Sequence, residues 1–246
     1  MSIPKIIHYC WFGGGAISAE SQKCMESWKK YCPDYKIMAW NEQNFDISTN
    51  RYAQQAYEAK KYAFVSDYVR LAVLYEYGGI YLDTDVELVR PLDELLELPG
   101  FMGFQTNNEV ATGLGFGARK GNSVVQALLR DYDALDFLKA DGSADLTPCP
   151  ERNTRVLQAM GVRKDGTRQS IAEMEIFPAE YFCPMDFYSR ELRVTPKTYS
   201  IHRYAESWKP KPSAVSRILQ RLLKKHYYTW YCPLRGRIEG RLRKRT

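Results

Sequence analysis

The sequence predicts an α/β domain with a mostly parallel central sheet flanked by helices, and three observations carry that expectation. Short β-branched and aromatic runs alternate with helical patterns over the first 208 residues. The chain opens as strand, helix, strand, which is the unit from which parallel sheets are built. Its 246 residues, 45% apolar and 13% aromatic, can bury a sizeable core.

Ile3 to Phe12 has the composition of a first strand, stopped by Gly13 to Gly15. Ser18 can cap a helix through Tyr31, with Glu20 in its first turn and Cys24, Met25 and Trp28 on an apolar stripe. Tyr35 to Trp40 reads as the second strand. Arg51 to Tyr62 is helical, and Ala63 to Tyr77 forms a second helix, apolar almost all round and therefore buried. Gly78 and Gly79 end it in the manner of a left-handed cap. Ile80 to Leu82 is then a short strand that resumes at Val86 to Val89 beyond an acidic turn. Further strands are expected at Phe101 to Gln105, Leu114 to Ala118, Glu173 to Phe177 and Thr198 to Tyr204, with helices at Ser123 to Tyr132 and Glu151 to Met160. Lys139 to Cys149 is polar and rich in Gly, Asp and Pro, hence a loop. Pro210 and Pro212 mark a boundary, followed by an amphipathic helix from Val215 to Tyr228.

The formal charge of +6 conceals an asymmetry. From Lys209 onward twelve basic residues face Glu239 alone, a balance of +11, whereas residues 1–208 carry −5. This divides the chain into a mildly acidic domain, 1–208, and a basic tail, 209–246. The opening apolar run is too short and aromatic for a signal segment, and no run approaches the roughly 18 apolar residues of a membrane-spanning helix. Six scattered cysteines without a CxxC pair read as reduced thiols. A cytoplasmic protein, peripheral on the inner face of the cell membrane, is the expectation.

The segment YGGIYLDTDVEL concentrates the chemistry. In an extended segment Asp83 and Asp85 point to the same side, roughly 7 Å apart at Cα. Two carboxylates beside an apolar sheet repel and lose solvation, and a divalent cation removes that conflict. Mn²⁺ and Mg²⁺ favour carboxylate, phosphate and water oxygens, so the pair can hold an ion that also grips a diphosphate. An EF-hand loop counted from Asp83 would need Gly where Leu88 stands. An aspartyl-phosphate phosphatase would carry Thr or Val where Glu87 stands. A solvated turn with two surface acids is the plainest alternative. One helix earlier, Asp67 and Arg70 share a face at i, i+3. The glycine pair folds that helix back toward Asp83, so that all four can face one pocket.

The run AFVSDYVRLAVLYEYGGIYLDTDVEL resembles the signature of glycosyltransferase family 32, the DXD sugar transferases, in the pattern S-D-x-x-R…Y-G-G-x-Y-x-D-x-D. IPKIIHYCWFGG is similar to that family's first strand, and IHRYAESW to its late H-x-x-x-x-S-W element. The resemblance implies a GT-A type fold and a retaining, metal-dependent transferase that moves a hexose from a nucleotide-diphosphate sugar to a saccharide or lipid-linked saccharide. Bacterial members act in capsule, exopolysaccharide or lipopolysaccharide synthesis. It implies that Asp83 and Asp85 hold Mn²⁺ or Mg²⁺, with His202 as third ligand. Asp67 and Arg70 would contact the donor sugar or ribose, and Trp11 would stack on the base. Ser207 and Trp208 would close over the diphosphate. His8 is expected to be structural, and Asn153, Thr154 and Gln105 to Thr112 to border donor or acceptor. A retaining, same-face displacement in which the leaving phosphate helps deprotonate the acceptor is the default.

In the tail, Val215, Ile218, Leu219, Leu222 and Leu223 share a helical face, ringed by Arg217, Arg221, Lys224 and Lys225 and followed by Tyr227, Tyr228, Trp230 and Tyr231. That pattern suits the interface of an anionic membrane. Without a nucleic-acid module, nucleic acid is not an expected partner. The rival from another class is a non-catalytic sugar-nucleotide binder within a polysaccharide assembly complex.

Overall fold

β1 (Ile6–Cys10), α1 (Ala19–Tyr31) and β2 (Lys36–Trp40) form the expected opening unit, the two strands parallel from Ile6 opposite Lys36 to Cys10 opposite Trp40. The structure is a computed structural model describing residues 2–187 and 189–205. Among the described residues, those up to Met185 and residues 193–205 form one compact unit, and the loop Asp186–Leu192 belongs to a second. Within that loop the Asp186 carboxylate accepts the Ser189 amide at 2.7 Å. Ser18 caps α1 by accepting the Ser21 amide at 3.1 Å, as its side chain favours. β1 is shorter than expected, because Ile3 and Phe12 are buried without pairing in the ladder.

Asn50 caps α2 (Arg51–Glu58), and α3 (Tyr62–Tyr77) follows. Phe64, Val65, Val69, Leu71, Val73 and Leu74 are all buried, so α3 is packed on nearly every side. Each such side chain contributes roughly 1.5–3 kcal/mol when fully buried. Gly78 ends the helix with φ of 66° but ψ of −172°, an extended version of the expected left-handed cap. A Cβ there would stand 2.7 Å from the Lys120 amide nitrogen, and one at Gly79 would stand 2.8 Å from both His8 Nε2 and Ile6 O. The pair is glycine because α3 turns directly into the sheet.

β3 (Gly79–Tyr81), β5 (Gly100–Phe104), β6 (Val110–Ala111), β7 (Phe116–Ala118), β8 (Gln169–Ile171) and β9 (Met174–Phe177) complete the main sheet. Its order is β2-β1-β3-β7-β5-β9-β8, with β6 also paired to β5. β2, β1, β3, β5 and β9 share one direction, while β7, β6 and β8 oppose them. Helices flank this mixed α/β sheet, as expected. β6 and β8, with the short helix α6 (Ala179–Phe182), are absent from the sequence reading: two to four residues are too few to show a period.

β4 (Val86–Leu88) does not continue β3. It pairs antiparallel with β10 (Ser200–His202) in a separate two-stranded sheet, His202 opposite Val86. The Trp28 indole fixes β4 to α1 by donating to Val86 O at 2.7 Å. α4 (Ser123–Asp133) is capped by Asn122, and α5 (Cys149–Ala159) starts two residues before the expected Glu151, with Pro150 in its first turn. The core has two parts: one around α2, α3 and α4 with Tyr52, Phe64, Tyr132 and Phe137, the other around Trp28, Ile80, Leu82 and Phe182.

Candidate active site

Asp83 is held from the helix side. The carboxylates of Asp67 and Asp83 each lie 3.1 Å from Arg70 Nη2, and Arg70 Nε donates to Ser66 O at 3.1 Å. The guanidinium also stands 4.9 Å over the Tyr81 ring, whose hydroxyl donates to Asp83 Oδ1 at 3.0 Å. Burial pushes the Asp67 carboxyl up to about 6 against the pull of Arg70. Burial also works against the Arg70 charge, but Asp83, Tyr81 and Asp67 together hold its pKa well above the ordinary value. Asp67 and Arg70 therefore form the ion pair that an i, i+3 spacing permits, and the same guanidinium reaches Asp83.

Asp85 is held by a segment more than a hundred residues later in the sequence. Its Oδ1 lies 3.2 Å from His202 Nε2, its Oδ2 accepts the Ala205 amide at 2.8 Å, and its carbonyl accepts the Arg203 amide at 2.9 Å. Arg203 Nε in turn donates to Glu87 Oε2 at 2.7 Å. Burial pushes the Asp85 carboxyl up, but His202 and the Ala205 amide outweigh it and bring it down to about 2. His202 is pulled down by burial and raised on balance by Asp85.

The two aspartates share a side for a different reason than the sequence suggests. They lie in a turn closed by Val86 N donating to Asp83 O at 3.0 Å, not in an extended strand. One ligand atom from each of Asp83, Asp85 and His202 falls within 4.8 Å of the others. Two carboxylates and an imidazole are a donor set suited to Mn²⁺. The 3.2 Å between Asp85 Oδ1 and His202 Nε2 is close to the roughly 3 Å expected of adjacent ligands around a small octahedral ion. Among the described residues His202 Nδ1 is buried without a partner, while the Tyr204 ring meets the imidazole edge-on at 4.3 Å. These residues fit a divalent cation.

Trp11 stands just past the end of β1, half-buried, its indole N–H donating to Gly15 O at 2.6 Å. That bond uses the polar edge of the indole. His8 is structural: Nε2 contacts Gly78 O at 2.8 Å and Nδ1 accepts from the Trp40 indole at 3.0 Å. Thr154 also serves the fold, accepting the Val110 amide at 2.8 Å. Asn153 Nδ2 reaches Thr112 Oγ1 and Cys149 Sγ, each at 3.2 Å, in a buried layer that meets Arg70 Nη1 through Cys149 at 3.8 Å. Ser207, Trp208 and the tail 209–246 lie outside the described residues. Sequence reasoning missed Tyr81 and Gly113 as partners of Asp83. Tyr81 had a signal, the i, i+2 alternation that puts it on the side of Asp83; Gly113, brought in from another loop, had none.

Residues 18–101 match the family model described as glycosyltransferase sugar-binding region containing DXD motif. The match contains Asp67, Arg70, Asp83 and Asp85. Among curated relatives, inositol phosphoceramide mannosyltransferase 3 of Schizosaccharomyces pombe is 29% identical over 151 residues, 55% of this chain and 39% of that protein. The α-1,4-N-acetylglucosaminyltransferase of Homo sapiens is 28% identical over 148 residues, 60% of this chain and 38% of that protein. The chain thus spans about two fifths of these relatives. Among solved structures, the PaToxG glycosyltransferase superposes with a TM-score of 0.47 at 21% identity, covering 64% of this chain and 69% of that one.

Proposed function

We propose that this chain is a retaining, metal-dependent glycosyltransferase that moves a hexose from a nucleotide-diphosphate sugar to a saccharide or lipid-linked saccharide in capsule, exopolysaccharide or lipopolysaccharide assembly. The convergence of Asp83, Asp85 and His202 on one small volume carries this reading. Asp83, Asp85 and His202 would hold Mn²⁺ or Mg²⁺, which when bound offsets the charge of the donor diphosphate. Arg70, kept charged by its carboxylate neighbours, fixes Asp83 and orients Asp67 toward a donor hydroxyl. The Trp11 face stacks on the base, worth on the order of 1–3 kcal/mol. With Asp67 committed to Arg70, the reaction follows a same-face course in which the leaving phosphate accepts the acceptor proton.

On this reading residues 1–208 are the catalytic domain, and 209–246, with a charge of +11, attach it to the cytoplasmic face of an anionic membrane. No helix among the described residues is long and apolar enough to cross a membrane. Salt-sensitive binding to anionic liposomes that disappears on removing the tail tests that attachment. The transferase reading is tested by slow hydrolysis of a panel of nucleotide sugars with Mn²⁺. One donor should turn over, and Asp85→Asn should lower that rate by at least ~100-fold. A panel with no turnover sensitive to Asp85→Asn contradicts it.

A further inference from the structure

The Asp83 carboxylate leans on a position far away in sequence. Its Oδ1 takes both side-chain bonds, from Arg70 and Tyr81. Its Oδ2 points at the bare Cα of Gly113, in the connection between β6 and β7, and the Asp83 amide donates to Gly113 O at 3.1 Å. A Cβ at Gly113 would stand 2.0 Å from Asp83 Oδ2 and 2.9 Å from its Cγ, an approach no real Cβ makes. The next atom, Arg70 Nη1, would lie at an ordinary 3.5 Å.

Gly113 does not have the positive φ that favours glycine, unlike Gly78, Gly79 and Gly115. Its backbone conformation is open to alanine, so the demand for glycine is local and comes from the carboxylate. A methyl group there would have to be relieved by moving Asp83. Tyr81 and Arg70 are buried and cannot follow freely, so the displaced carboxylate would give up its bonds to them or its position beside Asp85 and His202.

We infer that Gly113 is a positioning residue of the cation site, leaving empty the volume that the Asp83 carboxylate must occupy to act with Asp85 and His202. This rests on the cation reading under Proposed function, and the test separates the two. Mn²⁺ binding to the full chain would be followed by electron paramagnetic resonance, without donor or turnover, for the wild type, Gly113→Ala, Asp83→Ala and the double variant. Gly113→Ala should weaken Mn²⁺ binding by at least ~10-fold, about 1.4 kcal/mol. In the Asp83→Ala background the same substitution should change affinity by less than ~2-fold, since the clashing atoms are gone.

If wild type binds no Mn²⁺, the cation reading fails. If wild type binds and Gly113→Ala binds equally well, or loses the same factor without Asp83, the inference about Gly113 is overturned. Should Gly113→Ala fail to fold, the double variant decides. It should fold with the melting temperature of Asp83→Ala, and a double variant that also fails to fold contradicts the proposal.

Discussion

Asp83 and Asp85 are two residues apart, yet they are held by segments far apart in the sequence. Asp83 depends on Arg70 and Tyr81, both within the stretch that matches the DXD-containing region. Asp85 depends on His202 and the Ala205 amide, more than a hundred residues later and beyond that stretch. The near half is an ion-pair cluster with little solvent: the Arg70 side chain is 7% exposed and that of Asp67 12%. The far half is a strand pairing, β10 on β4, that closes over the turn between the aspartates. A motif that looks local is thus completed by tertiary structure.

The near half breaks most severely through its shared cation. Arg70→Ala removes the ion-pair partner that buried Asp67 and partly exposed Asp83 share, and should cost roughly 3–5 kcal/mol of unfolding free energy. Chemical denaturation measures it. A loss below about 1 kcal/mol would show that the carboxylates find other partners or take up protons without penalty.

A smaller effect concerns the glycine turn that brings α3 alongside Asp83. His8 supports that turn as the neutral ring, Nε2–H donating to Gly78 O, with Nδ1 committed as acceptor because the Trp40 indole can only donate. Burial lowers its pKa from the ordinary 6.5 to about 4 against the opposing bond to Gly78 O, with the Lys36 charge adding to the fall. The folded value lies below the unfolded one, so the contribution of His8 is complete above pH 6.5. It is lost as pH falls through about 4, with a total near 3 kcal/mol. Unfolding free energies between pH 7 and 4 should show this slope in wild type and lose it in His8→Gln. An identical slope in both would assign the acid sensitivity to other groups.

Much of this architecture was legible because it is periodic or punctuated. The opening unit, the buried α3 and the stop at Gly78 follow from apolar spacing and glycine placement, and the i, i+3 pair of Asp67 and Arg70 from helix geometry alone. What stayed hidden depends on contacts distant in sequence. The side shared by Asp83 and Asp85 was read from extended geometry, and Val86 to Val89 as a resumption of β3, because local pattern cannot see that Gly113 O takes the Asp83 amide, or that β4 pairs with β10 instead of extending β3. His202 was reached through a family resemblance, not through any spacing in the chain. Gly113 was invisible because its role is an empty volume, which leaves no mark in composition.

The central claim is that the two halves make one cation site, and Mn²⁺ binding to wild type and His202→Asn tests it most directly. The account predicts one Mn²⁺ per chain in wild type and at least ~10-fold weaker binding in the variant, with the fold unchanged by circular dichroism. Equal affinity in the two proteins would contradict it, because Asp83 and Asp85 would then bind the ion without the far half.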